Sequence, residues 1–207
     1  MKINDVCIIA SSVIFMVTMM TIIPAQIESI SDELVFGGYL TLAKYDENGN
    51  NVFTQTIHNR LVDTGETFLL EQVFQDGTTS LADNVQIGAI CVTDQALTPA
   101  ESTTAATFDS GNGITEANCK EDNTVTISSQ TAQIGALTFS AGGTNVADGD
   151  TITAIGICQN DSTDDGDFTN CATEGILFAV VDTTDVTLNT GETVQITYTF
   201  DISSSGS

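Results

Sequence analysis

The chain has 207 residues, of which 41% are hydrophobic, and its 28 Asp and Glu against 4 Lys and Arg give a formal net charge of −24 at pH 7. So acidic a surface repels the phosphates of nucleic acids and the headgroups of anionic lipids, so neither is expected as a partner. The acids are scattered among apolar residues instead of forming a tail. We therefore expect a folded chain whose acidic surface suits salty surroundings or cation binding.

The first predicted element is an apolar segment at residues 1–25. Residues 7–23 (CIIASSVIFMVTMMTII) contain no charge over 17 positions, which is long for the core of a signal peptide and short for a membrane span. Cleavage after Ala25 would make the segment a signal peptide, whereas retention would make it an anchor and the protein's one contact with a membrane. Both alternatives place the rest of the chain outside the cell, on a cell surface or on the surface of a virion.

Alternating apolar and polar residues predict β-strands through most of the remaining chain. In the closing run at 192–202, Val194, Ile196 and Tyr198 point one way while the residues between them point the other. Turn sequences such as the Asn-Gly step within 46–51 separate these runs. Short strands at this spacing predict an all-β fold, an antiparallel β-sandwich of the immunoglobulin-like or jelly-roll type. Shorter runs of the same kind occur at 39–45, 51–57, 85–92, 123–129, 134–140, 150–158 and 175–181.

One short helix is predicted among the strands, at residues 63–77 (DTGETFLLEQVFQDG). Asp63 or Thr64 can cap its N-terminus, and apolar residues then recur four positions apart. No long linker rich in Pro, Gly or Ser divides the strand-forming part of the chain. The predicted organisation is therefore a single β-sandwich domain at 26–202 and a flexible tail at 203–207.

Four cysteines remain once the N-terminal segment, which contains Cys7, is set aside, and an even number outside the cytosol predicts disulfides. Four cysteines allow three connectivities. Cys158 and Cys171 flank a polar loop between two predicted strands, so we expect them to pair. By elimination, Cys91 pairs with Cys119. Closing a loop like that between Cys158 and Cys171 stabilises a fold by roughly 3 kcal/mol in the chain-entropy model. A zinc site is the alternative, although no CxxC pair occurs.

The loop between Cys158 and Cys171 (CQNDSTDDGDFTNC) concentrates acidic residues. Calcium takes six to eight oxygen ligands, but the acids here do not follow the EF-hand order, so only an irregular calcium site would fit. The triplet that begins at Asn160 is an N-x-[ST] sequon in an exposed loop, which predicts glycosylation. The candidate metal ligands are Asp161, Asp164, Asp165 and Asp167.

No motif of a catalytic site occurs in the sequence. The chain has no GxSxG, P-loop or HExxH sequence, and chance pairs of carboxylates are expected in so acidic a chain. The single histidine, His58, has no recognisable nucleophile or orienting carboxylate beside it and is more simply a residue of a turn or a core edge. We therefore expect a non-enzymatic protein without catalytic residues, and without a cofactor other than the calcium considered above.

Several segments in a fixed order resemble a group of known proteins. YLTLAKYDENGNNVFTQTIHN is followed by LVDTGETFLLEQVF, IGAICVTD, DTITAIGICQ, GILFAVV and the closing TGETVQITYTFDI. In this order and hydrophobic spacing, residues 36–202 resemble small β-sandwich virion and tail-associated proteins of bacteriophages and archaeal viruses, and secreted appendage subunits of archaea. The resemblance implies a structural subunit that assembles with copies of itself and needs no cofactor. The N-terminal segment favours a cell-surface filament or a membrane-associated virion component.

Assembly of such subunits could use the free backbone groups of a strand at a sheet edge. The segment after residue 25 is a candidate donor strand, because it alternates apolar residues near a free terminus. Its alternative is to pair within its own subunit as the first strand. The closing strand at 192–202 is a second candidate donor. The residues of the first candidate are Leu34, Phe36, Tyr39, Leu40 and Leu42.

Two functions therefore stand as hypotheses. The first is a non-enzymatic structural subunit of an extracellular filament, pilus-like appendage or virion coat, built by strand pairing or donor-strand exchange. The second is a monomeric surface module that is anchored by an uncleaved N-terminal segment and binds calcium or glycans.

Overall fold

The structure, a computed structural model, describes residues 37–74, 87–114, 118–122, 124–128, 130–142, 146–159 and 170–202. These residues belong to one compact unit and form two antiparallel sheets of five strands each. The predicted all-β, antiparallel character of the chain is thereby confirmed. The predicted N-terminal segment at 1–25 and the predicted tail at 203–207 lie outside the described residues.

The first sheet has the strand order β2-β1-β10-β7-β6, with strands numbered along the chain. Strand β1, second from the edge, pairs antiparallel with β2 on one side and with β10 on the other. The five strands are β1 (Gly37–Tyr45), β2 (Asn51–His58), β6 (Thr126–Ser128), β7 (Thr131–Ser140) and β10 (Thr193–Asp201).

The second sheet has the order β3-β9-β8-β4-β5. Its two edge strands, β3 and β5, are very short and carry too few residues to show an alternating pattern, so the sequence did not predict them. The five strands are β3 (Arg60–Leu61), β4 (Ile87–Thr93), β5 (Cys119–Glu121), β8 (Thr151–Gln159) and β9 (Leu177–Thr187).

Three helices lie among the described residues, of which only the first was predicted: α1 (Asp63–Phe74), α2 (Ala105–Asp109) and α3 (Cys171–Glu174). The sequence missed α2 because five residues are too few for a helical period. Its beginning is nevertheless capped, since the Thr104 hydroxyl accepts a hydrogen bond from Thr107 N–H at 3.1 Å. The expectation of a single helix is corrected accordingly.

The inward side chains of the two sheets form a shared hydrophobic core. Leu40 and Leu42 of β1 and Ile196 of β10 are fully buried, as the alternating pattern predicts. Ile155 and Ile157 of β8 belong to the same cluster from the opposite sheet. The two sheets are therefore packed face to face by apolar burial, the main stabilising term for a fold of this kind.

The outer face of the second sheet is covered as well. Cys91, Ala154 and Val180 belong to a second buried cluster, which also contains Phe108 of α2 and Cys171 of α3. This double cover explains why β4 and β8 are buried along nearly their whole length instead of at alternate residues. The outer face of the first sheet, in contrast, is more exposed, so over much of their length β1 and β10 alternate between buried inward residues and more exposed outward residues.

A tight turn positions β2 beside β1. The Asp46 carboxylate accepts hydrogen bonds from Asn48 N–H at 2.9 Å and Asn50 N–H at 2.8 Å, and Gly49 adopts a φ of 79°. Hydrogen bonds from the Asn50 side chain and backbone lower the pKa of the Asp46 carboxyl, so the turn prefers the ionised aspartate. The Asn-Gly step predicted to form a turn does so.

Candidate assembly edge and disulfide sites

The structure contains both predicted disulfides. Cys91 of β4 bonds to Cys119 of β5, and Cys158 of β8 bonds to Cys171 at the start of α3. All four cysteines are buried. The second bond joins the two ends of the acidic loop at its base, as predicted. Two disulfides indicate an oxidising environment outside the cytosol.

The sulfur atoms of Cys91, Cys158 and Cys171 all lie within 4.8 Å of one another, a grouping that could hold a metal ion if the thiols were free. Each of them is engaged in a disulfide, and a metal binds the thiolate form. In the oxidised protein these three sulfur atoms therefore belong to disulfide cross-links.

The remaining residues predicted in the acidic loop cannot be placed. The glycosylation candidate Asn160 lies outside the described residues, and so do the candidate calcium ligands Asp161, Asp164, Asp165 and Asp167. Glycosylation and calcium binding stay predictions.

The candidate donor residues are divided by the limit of the described chain. Leu34 and Phe36 lie outside it, whereas Tyr39, Leu40 and Leu42 lie in β1. This strand pairs with β2 and β10 of its own chain along most of its length. The second candidate, β10, is likewise held between β1 and β7. In the folded chain both strands thus adopt the intramolecular alternative, and neither has a free edge.

His58 lies exposed at the end of β2, opposite Tyr39 in the β1–β2 ladder. No hydrogen bond or ion pair joins its ring to another described residue. In the described part of the chain, no nucleophile and orienting carboxylate form a triad with it.

An apolar cleft of about 280 Å³ opens beside β6. Ile127, which is 78% exposed, forms its rim, and Phe178 and Phe200 contact each other edge-on in its wall. Its one hydroxyl, on Tyr198, accepts a hydrogen bond from Asn59 Nδ2 at 3.0 Å, and burial raises the pKa of this phenol. The described residues that line the cleft therefore suit apolar contact and include no ionised group.

Four strands lie at sheet edges, and they differ in length. β3 has two residues, and β5 and β6 have three each, whereas β2 has eight. Long open edges are templates for pairing with another chain, and proteins usually shorten or cover them. Only β2 among the described edge strands is long enough to accept a further strand of ordinary length.

Side chains cover the part of β7 that extends beyond β6. The Asp122 carboxylate accepts a hydrogen bond from Gly135 N–H at 2.7 Å, and the Lys120 ammonium donates to the Thr138 carbonyl at 2.5 Å. Burial lowers the pKa of Lys120. Burial by itself would raise the pKa of Asp122, but the hydrogen bonds from Gly135 and Thr124 outweigh it and lower that pKa. These contacts occupy backbone groups that a foreign strand would need.

Acidic residues mark the open part of β9. β3 pairs with β9 only at Ala179 and Val180, and the strand continues to Thr187. Asp182 and Asp185 are exposed in this continuation. Charged side chains along an edge oppose pairing with another copy of the chain, since both copies carry the same charge.

Among the described residues, neither a covering side chain nor an acidic residue lies at the open edge of β2. Its sequence, NVFTQTIH, contains no Asp, Glu, Lys, Arg or Pro. Val52, at 55% exposure, adds an apolar side chain to the surface. In a chain with 28 acidic residues, an uncharged edge of this length combines free backbone groups with a local absence of like-charge repulsion.

The outer face of the first sheet continues this uncharged surface across β2, β1 and β10. Its outward residues are Thr, Gln, Ala, Tyr and His, with Asp201 at the end of β10 as the one carboxylate. Thr41 and Thr56 contact each other across it, with 3.3 Å between their hydroxyl oxygens. The acids of the described chain are therefore placed mainly away from this face.

Comparison with known protein families, curated proteins and solved structures finds no match to this chain. Among the described residues, no helix is both long and apolar enough to cross a membrane.

Proposed function

We propose that this protein is a non-enzymatic structural subunit of an extracellular assembly and that it binds copies of itself through the edge of β2. The observation that carries the proposal is the eight-residue, uncharged edge of β2 in a chain whose other described edges are short, covered or acidic. The assembly we propose is a filament, a pilus-like appendage or a virion coat, on the surface of a cell or a virion.

Electrostatics support this choice of surface. Two chains that each carry a formal charge of −24 repel one another at low ionic strength, so association is favoured at a surface without acids and in the presence of salt. Main-chain hydrogen bonds across the edge would supply the attraction. The Thr side chains of β2 are compatible with a position inside the continuous sheet that would result. The two-sheet body, of the immunoglobulin-like or jelly-roll type, would act as the rigid unit.

The resemblance of residues 36–202 to virion proteins and archaeal appendage subunits agrees with this proposal. Donor-strand exchange, through the segment that contains Leu34 and Phe36, is a second route to assembly. We favour edge pairing because β1 and β10 have no free edge in the folded chain.

The experiment is to follow assembly of the full chain by light scattering and electron microscopy over a range of protein and salt concentrations. The wild type should form particles or filaments, increasingly so as salt screens the acids. Thr56→Asp, which places a charge on the edge, should prevent assembly. Thr197→Asp adds the same charge to the outer face of β10 and serves as the matched control, which should still assemble.

Two results would count against the proposal. One is a wild type that stays monomeric at every concentration and salt. If such a monomer were also stabilised by calcium, the anchored calcium- or glycan-binding module would become the better hypothesis. The other is assembly of Thr56→Asp to the same extent as Thr197→Asp, since the interface would then lie elsewhere.

A further inference from the structure

We infer that β2 pairs antiparallel with β2 of a second copy of this chain, about a two-fold axis that passes beside Gln55. The first sheet of one copy and the first sheet of the other would join into one continuous sheet. This inference rests on the proposed function and adds to it the identity of the partner strand and the register. Because a two-fold pair is closed, a longer polymer would then grow from such pairs through a second surface.

The backbone hydrogen bonds between β1 and β2 show which groups of β2 face the open side of the sheet. Asn59 N–H donates to the Gly38 carbonyl at 3.0 Å, which makes these two residues a hydrogen-bonded pair in the β1–β2 ladder. Such pairs alternate along an antiparallel ladder, so Ile57, Gln55 and Phe53 also direct their backbone groups toward β1. The N–H and C=O groups between them, those of Thr54, Thr56 and His58, therefore face the open side.

Side chains select the register. Partners in an antiparallel pair point to the same face, so the axis must pass at a residue and cannot pass between two residues. With the axis at Gln55, Phe53 faces Ile57 of the other copy and Thr54 faces Thr56. With the axis at Thr54, Phe53 would instead face Gln55 of the other copy. With the axis at Thr56, Ile57 would face Gln55 of the other copy. Only the register centred on Gln55 pairs apolar with apolar and hydroxyl with hydroxyl.

Gln55 provides an independent observation. Its Nε2 atom is buried and has no hydrogen-bond partner among the described residues. A buried amide without a partner is unusual and costs stability. Two Gln55 side chains opposite each other across the axis would have Cβ atoms about 5 Å apart, so a rotation of each side chain toward the axis would let its amide donate to the carbonyl of the other copy. The pairing would thus give a partner to a group that has none among the described residues of its own chain.

The register can be tested with single cysteines on the exposed side of β2. In the full chain carrying Cys7→Ser, which removes the cysteine outside the two disulfides, Thr54→Cys and Thr56→Cys are made separately, and each is subjected to mild oxidation alone and after mixing. The Cα atoms of these two positions would face each other at about 5.5 Å, a distance that allows a disulfide. We expect a covalent dimer when the two variants are mixed and none from either variant alone. Thr197→Cys, outward on β10, is the control for random collision.

Light scattering on the same samples separates the possible failures. A covalent dimer from Thr54→Cys alone would place the axis at Thr54, and one from Thr56→Cys alone would place it at Thr56; either result overturns the register. Assemblies that form without any specific crosslink would overturn the pairing of β2 with β2 while leaving the proposed function intact. Monomers under all conditions would refute both.

Discussion

The carboxylate of Asp122 accepts a hydrogen bond from the backbone N–H of Gly135 at 2.7 Å and so covers part of the edge of β7 that β6 leaves unpaired. The same carboxylate accepts hydrogen bonds from the N–H and the hydroxyl of Thr124, both at 2.9 Å. One side chain thus accepts hydrogen bonds both from Thr124, just before β6, and from the neighbouring strand β7. In the part of the chain that the structure describes, no side chain covers the edge of β2 in this way.

Replacement of this aspartate should weaken the fold in a pH-dependent way. In Asp122→Ala the Gly135 N–H loses its acceptor, which we expect to cost about 1–3 kcal/mol in the free energy of unfolding at pH 7. The pKa of Asp122 is lower in the folded than in the unfolded chain, where an aspartate has a pKa of about 3.9. Its stabilisation is therefore complete above that value and is lost as the pH falls through the folded pKa.

Urea unfolding of the wild type and Asp122→Ala at pH 7, 5 and 3 measures this effect. The difference between the two proteins should be similar at pH 7 and 5 and smaller at pH 3. Asp182→Ala, which removes an exposed acid from β9, should change the free energy of unfolding by less than about 0.5 kcal/mol. A difference that grows as the pH is lowered would show that the sign is wrong.

The disulfide at the base of the acidic loop should contribute measurably to stability. A double replacement, Cys158→Ser with Cys171→Ser, should lower the free energy of unfolding by roughly 3 kcal/mol, because the unfolded chain regains the entropy of the open loop. Cys7→Ser is the matched control, since Cys7 lies in the N-terminal segment. Denaturant titration of the wild type, the double variant and Cys7→Ser measures the free energy of unfolding of each. Equal midpoints for the wild type and the double variant would contradict the prediction.

Gly65 lies at a position where there is no space for a side chain. It lies in α1, and a Cβ atom at this position would collide with the backbone carbonyl of Phe178 in β9. Gly65→Ala should therefore push the helix from the sheet and destabilise the fold by about 1–3 kcal/mol. Thr67→Ala, at an exposed position of the same helix, should be neutral or slightly stabilising. Thermal melting of both variants tests the contact, and a stabilised Gly65→Ala would refute it.

Local patterns in the sequence predict much of this fold. The alternation of Val194, Ile196 and Tyr198 is carried within one strand, and these residues are buried in β10. The pairing of Cys158 with Cys171 also follows from a local arrangement, a polar loop between two predicted strands, although Cys171 begins α3 and not β9. Strand order is different, because it depends on contacts between distant segments.

The position of β2 shows this limit. Residues 51–57 read as an uncharged strand, but nothing within them tells that this strand lies at the edge of its sheet, with β1 on one side only. Tyr39 and Leu42 were predicted as donor residues for the same reason: their apolar alternation suits either a donated strand or the second strand from the edge. Only the pairing of β1 with both β2 and β10 shows that it is the second strand from the edge and not a donated strand.

Proline at adjacent positions of β2 separates assembly from folding. The N–H of Thr56 faces the open side, so Thr56→Pro removes no hydrogen bond within the subunit and should leave its melting temperature nearly unchanged. The N–H of Gln55 faces Leu42 in β1, so Gln55→Pro should cost about 1–3 kcal/mol in the free energy of unfolding. Light scattering of Thr56→Pro should show monomers under conditions in which the wild type assembles, because the edge has lost a donor and gained a ring that obstructs an approaching strand. If Thr56→Pro melts like the wild type and assembles like it, the open edge of β2 is not the surface through which these chains associate.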